Sequence, residues 1–391
     1  MDTHYLDHAA TTPMTEAAAR EQARLAGLVG NPSASHAAGR KARSVVDDAR
    51  ERLASAVDAA PSEIVWTSGG TEADNLAIKG LFWDRHDGDP ARTRILVSAV
   101  EHHAVLEPAE WLAAHHGAEL VLIPVDRAGV VDVEWLRSEL AEKSERTALI
   151  SVMWANNEIG TIQPVAQIAA LAADHAIPMH TDAVQAVGHV PVSFSDSGVT
   201  ALSLSAHKAG GPVGVGALVV RRDVRMTPVS HGGGQERQVR SGTLDAAGFA
   251  AGSVAIADAV AEVEDEAARL RALQADAVAR IRGAVPDVTL TGAPLGPGRL
   301  PGNIHLCFPG ADPDALMFML DSHGIQSSTG AACSAGVHQS SHVLMAMGYS
   351  PADAASTMRF SLGHTTTAAD IDALLAVLPE AVERARRIPR G

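Results

Sequence analysis

Between residues 63 and 220 short apolar runs alternate with stretches whose apolar positions recur every three or four residues. Residues 63–67, 94–99, 120–124, 178–181, 201–205 and 216–220 read as strands. Residues 72–81, 104–116 and 164–175 read as helices between them. The run 148–154 is apolar throughout, as a strand buried on both faces of a parallel sheet should be. An amphipathic helix precedes the series over 35–59, with Ala38, Ala42, Val45, Val46, Ala49, Leu53 and Val57 on one side, and Pro61 stops it. Alternation of this kind leaves few architectures open. It predicts an α/β fold with a mostly parallel sheet, helices on both faces and ligands at the carboxyl ends of the strands.

After Leu244 the pattern changes. A long Ala/Glu/Arg-rich helix over about 246–283 leads to short strands near 288–290 and 303–306, a Gly/Pro-rich loop at 292–302, and helices near 312–322 and 368–387. The expected organisation is a large domain over 15–255 and a smaller α+β domain made from 1–14 plus 256–391. A chain of 391 residues, 46% of them hydrophobic, can bury cores of that size. With only 3% aromatic residues those cores must be built from Ala, Val, Leu and Ile. A formal net charge of −15, with no basic run beyond pairs such as Arg221-Arg222, argues against a nucleic-acid partner. Two cysteines, Cys307 and Cys333, make no disulfide framework and suit a reducing compartment. The N-terminus shows no basic region followed by an apolar run, and no apolar stretch approaches the roughly 20 residues of a membrane span, so a cytoplasmic, membrane-free protein is expected.

The chain has four lysines, and three of them (Lys41, Lys79 and Lys143) lie in helices or polar loops. Lys208 instead follows the alternating strand 201–205 and precedes Gly210-Gly211-Pro212-Val213-Gly214. A lysine there can be desolvated, which lowers its pKa and frees the amine as a nucleophile. On this pattern alone a solvated surface lysine and a Schiff-base lysine stand level. Pyridoxal phosphate would need two further things: a carboxylate for its pyridine nitrogen and an anion site for its phosphate. Asp182 sits at the carboxyl end of the strand 178–181. Ser68-Gly69-Gly70-Thr71 joins a strand to a helix, where free backbone N–H groups and the helix dipole favour a phosphate. Each signal recurs in unrelated proteins; their joint occurrence in this order favours the cofactor reading.

On these residues the sequence resembles the cysteine desulfurases, fold-type I pyridoxal-phosphate enzymes of the class-V aminotransferase family, over nearly its whole length. The matching stretches begin with Tyr5-Leu6-Asp7-His8-Ala9-Ala10-Thr11-Thr12-Pro13, Thr67-Ser68-Gly69-Gly70-Thr71-Glu72-Ala73-Asp74-Asn75, Glu101-His102-His103 and Asn156-Asn157-Glu158-Ile159-Gly160. They continue with Thr181-Asp182-Ala183-Val184-Gln185, Ser205-Ala206-His207-Lys208, His231-Gly232-Gly233-Gly234-Gln235-Glu236-Arg237, Arg240-Ser241-Gly242-Thr243 and Arg359-Phe360-Ser361-Leu362-Gly363. The resemblance implies that Lys208 carries the cofactor and shuttles protons, that Asp182 pairs with the ring nitrogen and that Gln185 bonds the ring hydroxyl. His102 is implied to stack on the ring and serve as acid and base. Gly70, Thr71, Ser205 and His207 would hold the phosphate, with Thr243 reaching in from the second subunit of a homodimer. Asn157 and Arg359 would hold the carboxylate of L-cysteine, a task that suits the planar fork of arginine. Cys333, in a run of small residues, would take the sulfur as a persulfide, leave L-alanine and pass the sulfur to an acceptor, for iron–sulfur cluster assembly, tRNA thiolation or a related use.

For Cys307, inside the apolar Ile304-His305-Leu306-Cys307-Phe308, a packed core cysteine is the favoured reading. The pairs His102-His103, His115-His116 and His338 with His342 have no carboxylate at metal-site spacing, so no metal is expected. Residues 211–216 do not complete a dinucleotide-binding glycine fingerprint. Two departures stand out. Gly210 and Val213 occupy a turn where many members carry an aromatic residue and a lysine. The chain also stops at Gly391, where members that dock an iron–sulfur scaffold usually continue, so a scaffold partner is a weaker implication than the chemistry. Selenocysteine lyase, an aminotransferase on the same scaffold, and a catalytically silent assembly partner are the rival readings.

Overall fold

Apolar runs become strands here because nearly every strand position is buried and each run is closed by a turn residue or a helix cap. The computed structural model describes residues 3–329 and 340–388. Its strands, in chain order, are β1 (His4–Tyr5), β2 (Ile64–Thr67), β3 (Arg94–Ser98), β4 (Glu119–Ile123), β5 (Thr147–Ser151) and β6 (Met179–Asp182). They continue with β7 (Ala201–Ser205), β8 (Gly216–Val220), β9 (Thr289–Leu290), β10 (Asn303–Cys307), β11 (Ile325–Gln326) and β12 (Thr357–Ser361). Among the described residues the main sheet has seven strands in the order β2-β8-β7-β6-β5-β3-β4. The pairs from β7 across to β4 are parallel, and β8 alone runs against its neighbours β7 and β2. This is the mostly parallel sheet that the alternation predicts.

The two-residue period divides each strand between two helical layers. Ile64 and Trp66 of β2 join one core with Leu53, Leu204 and Phe249. Val65, between them, joins the other, with Ile78, Phe82 and Val97. Trp66 stacks flat on Phe249, ring centroids 4.5 Å apart, which supplies much of the aromatic packing in a chain so poor in rings. A separate core unites the antiparallel β12-β10-β9 sheet with the helices Val263–Ala284, Pro313–Ser322 and Ala368–Arg386. Leu6 belongs to this separate core, because β1 pairs in parallel with β11.

The single helix expected over 246–283 is two helices, Ala246–Ala261 and Val263–Ala284, bent by 70° at Glu262. The first is buried against the large sheet's layer, whereas the second turns its Leu270, Val278 and Ile281 toward the smaller core. Glu264, Asp265 and Glu266 fall in the first turn of the second helix, where negative charge favours a new N-terminus. No single helix among the described residues is long and apolar enough to cross a membrane.

Candidate active site

The main sheet delivers its functional side chains at one edge. β7 ends at Ser205, and a single tight turn, Ala206–Lys208, carries Lys208 over the carboxyl ends of the strands. The turn is released by Gly210 at φ +81°, where a Cβ would also run into Thr15 Cγ2 at 2.7 Å. Lys208 Nζ donates to the backbone oxygens of Ala9 at 2.6 Å and Ala10 at 2.7 Å. Burial pushes its ammonium pKa down to about 8; nearby Arg359 adds to the effect, and Asp7 and Asp182 oppose it.

Asp182 is the last residue of β6 and is buried. Its Oδ1 accepts from the Val184 backbone N–H at 2.8 Å, and burial pushes its carboxyl up to about 6. Gln185, three residues on, donates from Nε2 to the Ala9 oxygen at 2.9 Å. His102 caps the helix His103–His116: its Nδ1 accepts from the Ala104 N–H at 3.1 Å, which leaves the proton of the neutral ring on Nε2. Burial, with Lys208 beside it, holds the ring down to about 4, so it is neutral at physiological pH.

Residues 68–71 form a cradle at the start of the helix Gly70–Gly88. A Cβ on Gly70 would lie 2.6 Å from Val184 Cγ2, and one on Gly216 would lie 2.6 Å from Gly69 Cα, so the backbone approaches closely only because both are glycine. Ser205 Oγ is buried there without a hydrogen-bond partner among the described residues. His207 Nδ1 lies 3.1 Å from Thr11 Oγ1, and burial lowers its ring to about 4.

Arg359 comes from the middle of β12, in the smaller core, and reaches across. Its Nη1 donates to the Asn157 oxygen at 3.0 Å and its Nη2 to Asp7 Oδ1 at 2.8 Å. Asn156 builds the turn that presents Asn157: its Oδ1 accepts from the N–H groups of Glu158 and Ile159, both at 2.9 Å, and its Nδ2 donates to the Val100 oxygen.

One cavity of about 290 Å³ joins these groups. Lys208, Asp182, Gln185 and His102 line it together with Gly70, Thr71, Ser205 and His207, and Asn157 and Arg359 close it. Thr243 does not line it; it is exposed, on a segment tied down by the Arg50–Glu236 pair at 2.6 Å and the Arg240–Glu72 pair at 2.9 Å. Cys333 and His338 lie outside the described residues. Ser328 lines the cavity and exchanges backbone hydrogen bonds with Arg359. Cys307 is buried within β10, as its apolar surroundings suggest. Sequence reasoning gave no role to the Ala9 and Ala10 carbonyls, Asp7 or Asp74, although all fall within its matching stretches. Their contribution is a position in space, and a motif does not print that.

The residues present fit pyridoxal phosphate. The glycine cradle, the orphaned Ser205 hydroxyl and the helix start offer donors to a phosphate. The buried Asp182 carboxylate retains acceptor capacity for a protonated ring nitrogen, and the amine of Lys208 lines the same cavity.

Comparison with known proteins places the chain in a family with this fold. The model of the family described as "Aminotransferase class-V" matches residues 4–374. An "IscS-like cysteine desulfurase" of Mycobacterium tuberculosis is 50% identical over 383 residues, covering 98% of this chain and 97% of that protein. The crystal structure of a NifS-like protein from Rickettsia africae, 30% identical, superposes with a TM-score of 0.87 over 98% of this chain and 100% of that one. A structure described as "SspA in complex with cysteine", 32% identical, superposes with a TM-score of 0.78 over 92% and 99% of the two chains.

Proposed function

The chain belongs to the class-V aminotransferase family, with the fold-type I arrangement of its pyridoxal-phosphate enzymes, and on that footing we propose that it is a cysteine desulfurase. It takes sulfur from L-cysteine onto Cys333 as a persulfide and leaves L-alanine. The observation that carries this reading is the meeting of the Lys208 amine, the Asp182 carboxylate and the Arg359 guanidinium in one cavity.

When bound, pyridoxal phosphate supplies an electron sink for the bonds at the α-carbon of an amino acid. Asp182 would hold the ring nitrogen, Gln185 the ring hydroxyl, and Gly70, Thr71, Ser205 and His207 the phosphate, with Thr243 contributed by the second chain of a homodimer. The chain's own residues do the rest. Lys208, lowered to about 8, gives and takes a proton at Nζ near neutral pH. His102 stays neutral and offers its Nε2–H. Asn157 and Arg359 bind and orient the substrate carboxylate. The Cys333 thiolate attacks the substrate sulfur: an S–S bond forms, the Cβ–S bond breaks, and its electron pair returns to the substrate carbon, which is protonated to give alanine. The persulfide then passes to a sulfur acceptor, and a reducing cytosol is the compartment that suits such a thiol.

The test is release of alanine and sulfide from L-cysteine with reductant, for wild type and Cys333→Ser. The serine variant is expected to keep the cofactor absorbance and lose both products. Equal turnover by the two proteins would make Cys333 dispensable and point to a selenocysteine lyase or aminotransferase.

A further inference from the structure

The guanidinium of Arg359 already has partners within the chain. Nη2 donates to Asp7 Oδ1 at 2.8 Å, Nη1 donates to the Asn157 oxygen at 3.0 Å, and Nε is buried without a hydrogen-bond partner among the described residues. The Arg359 side chain is only 6% exposed, whereas that of Asp7 is 22% exposed. An entering carboxylate therefore meets this guanidinium where an internal carboxylate already sits, and must share or take over its bond. The backbone of Asp7 is anchored independently of its side chain. Tyr5 donates to its oxygen at 3.1 Å, and it bridges Ser361. The carboxylate can thus turn away while the chain stays in place, and its partial exposure lets water receive it.

We propose that Asp7 is a built-in competitor for the carboxylate of the amino acid, compensating Arg359 within the chain and ceding Nη2 on binding. This rests on reading the cavity as an amino-acid site. A buried guanidinium without a counter-charge is costly, so an entering carboxylate gains only the difference between itself and Asp7. The setting matters because cysteine and alanine carry the same α-carboxylate. Arg359 grips substrate and product alike, and such uniform binding does nothing for the chemical step while slowing product departure. Asp7 keeps that grip within bounds.

The experiment uses the full-length holoprotein with Asp7→Asn, which keeps the shape and an acceptor but removes the charge. L-Alanine is titrated into it and followed by the change in cofactor absorbance, alongside the KM and kcat for L-cysteine. The dissociation constant for alanine is expected to fall about tenfold, with KM for cysteine falling in step. Asp7→Glu, which keeps the charge, should stay within about threefold of wild type. Should Asp7→Asn not fold, Asp7→Ser serves in its place. Alanine binding that is unchanged or weaker in the charge-free variant overturns the proposal and leaves Asp7 a structural partner of Arg359. A wild type that binds alanine yet does not desulfurate cysteine sinks the desulfurase reading alone, and the alanine titration still decides the role of Asp7. Indifference to alanine in both the wild type and Asp7→Asn overturns the role given to Asp7, while product release from cysteine alone judges the desulfurase reading.

Discussion

Glu158 shows how one buried group ties the site to pH. It stands next to Asn157, its Oε2 accepts from Ser341 Oγ at 2.6 Å, and burial pushes its carboxyl up to about 7 against the pull of Ser341, Arg359 and His103. The unfolded chain gives up this proton near pH 4.5, whereas the folded chain holds it to about 7. Folding is therefore penalised progressively as pH rises through that window, by on the order of 3 kcal/mol once both states are ionised. Glu158→Gln carries no such penalty. It is expected to unfold at higher denaturant than wild type at pH 8 and to match it at pH 4. An equal difference at both pH values would mean that the glutamine acts by packing alone.

Most strands of the main sheet were legible because either a run of buried apolar residues, as at Gly216–Val220, or an alternation, as at Ala201–Ser205, leaves its mark in five residues. Asp182 and Lys208 could be placed for the same reason, since one closes such a strand and the other ends the tight turn that follows one. The smaller half was less readable. β12 is not among the strands read from the sequence, and Arg359 on it is picked out only through the family resemblance: Thr-Met-Arg-Phe-Ser does alternate, but all five residues are buried, the polar ones included, so the alternation does not mark a solvent face. The helices Glu16–Leu25 and Val133–Lys143 were also missed: the first buries only Ala18 and Leu25, the second only Leu136 and Leu140, and stripes so narrow hardly stand out. The bend at Glu262 escaped because an Ala-rich sequence favours helix on both sides of it. Long-range anchors were invisible altogether. Glu236 is one: its carboxylate accepts from Arg50 at 2.6 and 2.9 Å and from the Trp66 N–H at 2.8 Å, fastening the segment that leads to Thr243. Glu236→Ala would leave the Arg50 charge uncompensated at a site where Glu236 is 1% exposed. The expected loss is about 3 kcal/mol in urea unfolding, with weakened cofactor retention. A loss under about 1 kcal/mol would mean that the pair is a solvated surface contact.

The two halves contribute different things to the cavity. The large sheet supplies Asp182 and Lys208, the smaller one supplies Arg359, and β1 with its partner β11 packs on the smaller core through Leu6 and Ile325. Thr243, exposed in a single chain on an anchored segment, gives the proposed homodimer a concrete requirement. The light-scattering mass is expected to be that of two chains, and a monomer that retained the cofactor at full affinity would remove the need for a second subunit.

The bond between Asp7 and Arg359 spans 352 positions of sequence. A chain emerging from the ribosome thus completes its main sheet long before its first residues meet the arginine that they are to hold. Contacts between the two ends of a chain form late and slowly, because the loop they close is nearly the whole molecule. The proposed amino-acid site is then the last part to mature, and an unfinished or truncated chain that had already folded its sheet would lack the Arg359 grip proposed for the substrate.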